Sequence, residues 1–214
     1  MEKLIQELGE SLADSINGGY KFIKSKYSIV KKEDKGWKRI TIDVLPASRP
    51  NFVKLALHAH IRIEELEKLY TPYHPFLSAK DARDHATISI NCDQLFSDKS
   101  IVVSFEATKQ SITETTHKYA KAIQIDILPF LDRFFSENAL VSSLENENPK
   151  EWVTSDHLAR YLILLSAYAQ RNNWDLFEKI AHEFLQYCQK PHAQVYQSLA
   201  DSVINGLLSG KSST

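Results

Sequence analysis

The stretch FVKLALHAHIRIEEL, Phe52–Leu66, alternates two kinds of residue. Val53, Leu55, Leu57, Ala59, Ile61 and Ile63 occupy one set of positions; Phe52, Lys54, Ala56, His58, His60 and Arg62 occupy the other. A period of two is what a long strand with one buried face requires, because successive side chains leave opposite sides of the pleat. This is the best-defined strand in the chain, and the others are expected to register against it. Its second face, Lys54, His58, His60 and Arg62, is a row that can carry positive charge.

Working backwards, Leu4, Ile5, Leu8, Leu12, Ala13 and Ile16 form the stripe of an amphipathic helix over residues 2–16, stopped by Asn17-Gly18-Gly19. Lys21–Arg39 then carries eight basic and two acidic residues, with Tyr20, Phe22, Tyr27 and Trp37 among them. Charge with interleaved aromatics can bind phosphates. The same residues also read as a first β-hairpin: Tyr27–Val30, a turn at residues 33–36, and a return strand Trp37–Leu45. Lysines on an edge strand discourage aggregation through that edge. With an overall formal charge of -1, the hairpin reading is the stronger.

Forwards, Glu64–Tyr70 reads as a short helix or strand exit, and Thr71–Pro75 as a stiff loop held by two prolines. Ala86, Ile88, Ile90 and Cys92 mark one further strand; Ile101, Val103, Phe105 and Ala107 mark another. From Ser111 the period becomes helical. Ser111-Ile112-Thr113-Glu114 matches a capping box, and Ala120, Ile123, Ile127, Phe130 and Phe134 continue one stripe past Pro129. Residues 142–151 are polar, and helices follow over 158–170, 174–188 and beyond Pro191. The expectation is an α+β protein: an antiparallel four- to five-stranded sheet backed by helices, with a C-terminal helical subdomain. The division expected is a sheet domain over 1–141 and a three-helix subdomain over 152–210 packed on it.

Composition narrows function mainly by exclusion. Residues 37–205 contain no glycine, which removes phosphate loops, dinucleotide fingerprints and the glycine-flanked serine elbow. Cys92 and Cys188, the two cysteines, lie too far apart in sequence for a metal or redox motif. A thiol-poor chain without a signal-like or membrane-length apolar run is expected in the cytoplasm, with no membrane partner.

The order of features resembles families of small bacterial α+β proteins of unassigned function found beside toxin, immunity and defence loci. The features are an N-terminal helix, Tyr20-Lys21-Phe22, Gly36-Trp37-Lys38 opening a strand, a meander and a proline-containing helix. The likeness spans roughly residues 1–140, supplies no catalytic residue, and implies an inhibitor or immunity-type protein acting on an effector or toxin.

The expected function is therefore a non-enzymatic protein-binding module without a cofactor. Lys24, Lys26, Lys38 and Arg39 would steer an acidic partner and Trp37 would anchor it; His58, His60 and Arg62 extend the binding set. A second copy of the chain is a further partner class. Two alternatives are a metal-dependent hydrolase using His58 and His60, and nucleic-acid binding through residues 21–39. The histidines sit about 7 Å apart along the strand but need at least one more ligand, for which His85, Asp84 or Asp93 are candidates. Flanking Lys54 and Arg62 disfavour a cation there. Asp81, Asp84 and His85, read as a loop, are weighed for acid–base work. Cys92 reads as a core residue, and His117, His157, His182 and His192 as solvent-facing or capping residues.

Overall fold

A computed structural model describes residues 2–16, 18–101 and 104–211. The chain is an α+β protein with an open antiparallel sheet backed by helices. Helix α1 (Glu2–Ser15) leads into β1 (Lys21–Ile23), β2 (Ser28–Glu33), β3 (Gly36–Pro46) and β4 (Phe52–Ile63). Helices α2 (Glu64–Tyr70) and α3 (Ala79–Asp84) precede β5 (Ile88–Asn91) and β6 (Phe105–Glu106). Then follow α4 (Lys109–Ala122), a π-helical turn (Ile123–Ile127), α5 (Leu128–Phe134), α6 (Glu137–Leu144), α7 (His157–Gln170), α8 (Trp174–Cys188) and α9 (Gln197–Lys211).

Two compact units divide the chain. The first takes the chain up to Ile61 together with Ser89–Phe135. The second takes Arg62–Ile88 and the chain from Ser136 onwards.

The strands run in the order β1-β2-β3-β4-β5, and β6 pairs with the start of β4 at Phe52 and Val53. The first hairpin is longer than the sequence suggests. Pairing of Glu33 with Gly36 closes a two-residue turn, and β1 adds an edge, Phe22 opposite Ile29. One face of the sheet is the core of the first unit: Ile29, Ile40, Ile42, Leu55, Leu57 and Ile61 are fully buried. Each such side chain contributes about 1.5–3 kcal/mol of burial. Helix α1 packs on β1–β3 and on α4, bringing Leu8 and Leu12 into that core. At Gly9 the approach is so close that a Cβ would run into the Phe22 ring.

In the second unit, α7 packs on α6, α8 and α9, and α2 packs on α7 and α9. Tyr161, Leu164, Leu165, Phe177 and Phe184 fill the space between these helices.

Several expected details are corrected. The strand over 101–107 shortens to Phe105–Glu106, because Lys99–Ile101 is a 3-10 turn; Val103 lies outside the described residues, as does Asn17 of the expected α1 stop. The cap of α4 is Thr108, whose side chain accepts from the Ser111 amide, one turn before the expected box. Val195, placed in the last helical stripe, lies in a 3-10 turn and is 68% exposed. Residues 79–84, read as loop, form α3, capped by Ser78.

A candidate recognition face and a buried carboxylate

Cross-strand pairing sorts the side chains of the hairpin. Lys32 opposite Trp37, Val30 opposite Arg39, and Ser28 opposite Thr41 share one face; Ile29 opposite Ile40 belongs to the core face. On β4 the half-buried Lys54, Ala56, His58 and His60 alternate with buried neighbours. Two contacts join the strands on this polar side: Thr41 Oγ1 lies 3.1 Å from His60 Nε2, and Asp43 lies 3.9 Å from His58. The second face of the organising strand is therefore a partly open surface of Trp37, Arg39, Thr41, Asp43, His58 and His60.

Its centre is a stack. The Arg39 guanidinium sits 4.3 Å from the Trp37 ring centroid, an arrangement in which the ring quadrupole favours the cation and the planar group covers apolar surface. Beyond it, His60 is engaged at both nitrogens, with Ser89 Oγ 2.7 Å from Nδ1. Burial, reinforced by Arg39 and His58, pushes its imidazole down to about 4, so it is neutral near pH 7. The face is less cationic than its sequence suggests: Lys54 pairs with Asp93 at 3.5 Å, and His60 carries no charge.

Two of the expected binding residues are built into the fold instead. Lys38 is 4% exposed, with its ammonium 2.7 Å from both Glu33 and Asp132 and 4.6 Å from the Phe135 ring centroid. Burial alone would lower this ammonium, but hydrogen bonds to Asp132 and Glu33 hold it above its ordinary value. It stands opposite Lys31, and Glu33 pairs with both ammonium groups. A steering charge must face solvent, so Lys38 leaves that set. Lys24 and Lys26, on the turn after β1, are exposed, as are Lys21, Lys32 and Lys35.

Arg62 is 5% exposed and belongs to the second unit. It donates to the Ala82 and His85 carbonyls at 2.7 Å and grips Glu64 with two nitrogens. Fixed donors in a planar fork suit this clamp. The same guanidinium lies 3.5 Å from Glu67, the buried carboxylate that pattern reading misses. Glu67 is fully buried, accepts from Tyr70 Oη at 2.6 Å and lies 3.0 Å from His85 Nδ1. Burial and the Glu67 charge push the Tyr70 hydroxyl well above its ordinary value. The signal was present in sequence: Glu67 interrupts the apolar helical stripe Ile63, Leu66, Tyr70.

His85 thus meets Glu67 rather than Asp81, which serves the α3 cap through Ser78. Among the described residues, no group of three or more His, Cys, Asp or Glu side chains is arranged to hold a metal ion; His58 and His60 come without a third ligand. Cys92 is fully buried, and burial, then Asp93, pushes its thiol up, in keeping with a core position. His157 departs from the solvent-facing expectation, with its ring stacked 5.3 Å from Tyr187.

Comparison with protein-family models, curated proteins and solved structures finds no significant match to this chain. Among the described residues, no helix is long and apolar enough to cross a membrane.

Proposed function

We propose that the chain is a non-enzymatic protein-binding module that presents the polar face of β3 and β4 to an acidic protein partner. The observation that carries this reading is the Trp37–Arg39 stack, held half-open on a rigid sheet. Tryptophan and arginine combine large contact area with directional donors, and fixed side chains lose little entropy on binding. The exposed Lys24 and Lys26 supply the long-range attraction, with Lys38 excluded. An inhibitor or immunity-type protein of a bacterial effector is the specific instance of this function.

The test is a binding measurement against effectors encoded beside the chain. Trp37→Ala should act mainly on dissociation, speeding it roughly tenfold or more. Reversing Lys24 and Lys26 to glutamate should slow association and flatten its salt dependence. Absence of a complex at micromolar concentration, or affinities indifferent to all three substitutions, would overturn the reading.

A further inference from the structure

The first unit contains a cleft of about 960 Å³ between the first turns of α1, the β3–β4 connection and the start of α4. It is at the upper end of the roughly 300–1,000 Å³ common for ligand sites, and none of its lining residues belongs to the face described above. The floor is apolar: half-buried Leu4, Phe52 and Ile112. The rim carries exposed Lys3, Arg49 and Lys109, one cation from each of three separate segments, against the carboxylate of Glu7. Glu7 offsets Lys3 weakly, since their contact is 3.9 Å and the Lys3 side chain is 91% exposed. Lys109 opens α4, whose dipole adds positive potential there.

The cleft wall is held in shape by its own backbone. The Ala47 amide donates to the Phe52 carbonyl at 3.0 Å and the Phe52 amide to Arg49 at 3.2 Å. Asn51, left-handed at φ 63°, accepts from the Ala107 amide at 3.0 Å. Pro46 and Pro50 stiffen the same loop. A site that is ordered before binding loses less entropy when filled.

We infer that this cleft docks a short acidic peptide segment of a partner protein, in which carboxylates flank a large apolar anchor. The floor takes a leucine- or phenylalanine-sized side chain, and cations on three sides match anionic groups spread along a chain. A fatty-acid-like anion has one charged head, which would meet one of these cations and leave the positive potential of the other segments unmatched by the ligand. The inference is independent of the sheet-face reading, because the two surfaces share no residue.

The full chain would be titrated, by fluorescence anisotropy, with a labelled peptide carrying a Leu-Phe pair flanked on both sides by glutamates. Saturable binding is expected, weakened roughly tenfold or more when glutamine replaces the glutamates or alanine the apolar pair. Arg49→Glu with Lys109→Glu should weaken it as much, while Trp37→Ala leaves it unchanged. The substituted peptides keep the test valid on the unaltered protein if the double variant folds poorly. Three results would overturn the inference: no binding at millimolar peptide, equal binding by the charge-reversed variant, or saturable uptake of dodecanoate in the peptide's place.

Discussion

His60 is engaged by hydroxyl groups on both sides, Thr41 and Ser89, and the fold strongly lowers its affinity for a proton. Burial holds its folded value near 4 against an ordinary 6.5. On acidification the unfolded chain therefore takes up the proton first. The stability that His60 contributes is complete above pH 6.5 and is lost as pH falls towards 4. In urea unfolding across that window, His60→Gln should show a shallower loss of stability than the unaltered chain, with a difference of no more than about 3 kcal/mol. Parallel pH profiles would reject this. The His58–His60 pair itself was legible, since the period of two fixes which side chains share a face. The protonation of His60 was not, because it depends on burial within the folded sheet and on Arg39 of the neighbouring strand. Glu67 could be noticed as a break in an apolar stripe, but its partners were illegible for the same reason: Tyr70 lies within one helical turn, whereas His85 comes 18 residues later.

At the scale of elements, legibility followed the strength of the period. β4, α7 and α8 stand within a residue or two of their expected bounds, because long amphipathic patterns leave one way to bury the apolar side. The strand over 101–107 was overestimated, since alternation over so few residues competes poorly with the local turn at Lys99–Ile101. Pro129 illustrates a different limit. A π turn over Ile123–Ile127 takes up the irregularity, the Leu128 amide reaching back to the Ile123 carbonyl, and Pro129 then stands in the first turn of α5, where its missing N–H costs little. The cap of α4 offers a measurable contrast. Thr108→Ala removes the side-chain acceptor for the Ser111 amide and should cost about 1 kcal/mol. Ser111→Ala should cost only about a few tenths, because Ser111 lies inside the helix. Equal costs in equilibrium denaturation would move the helix start back to Ser111.

For the whole molecule, the consequential feature is that neither compact unit is continuous in sequence. The chain passes from the first unit to the second after Ile61, returns at Ser89 and leaves again after Phe135. Composition shows a polar stretch at 142–151, but it does not show that α2 finds its partners in α7 and α9. Those contacts bury Leu66 and Tyr70 and enclose Glu67 beside Arg62. A fragment ending at residue 141 would carry the 62–88 segment without the helices that cover it. It would expose two large apolar side chains and open a buried ion pair, a combination that costs several kcal/mol, comparable with the whole stability of a small domain. Such a fragment is predicted to bind a hydrophobic dye and to unfold without a single cooperative transition, and addition of a separately produced 142–214 fragment should abolish the dye binding and restore cooperative unfolding. A fragment that melts cooperatively by itself, with native near-ultraviolet dichroism, would show that the first unit folds without its neighbour and that α2 is dispensable to it.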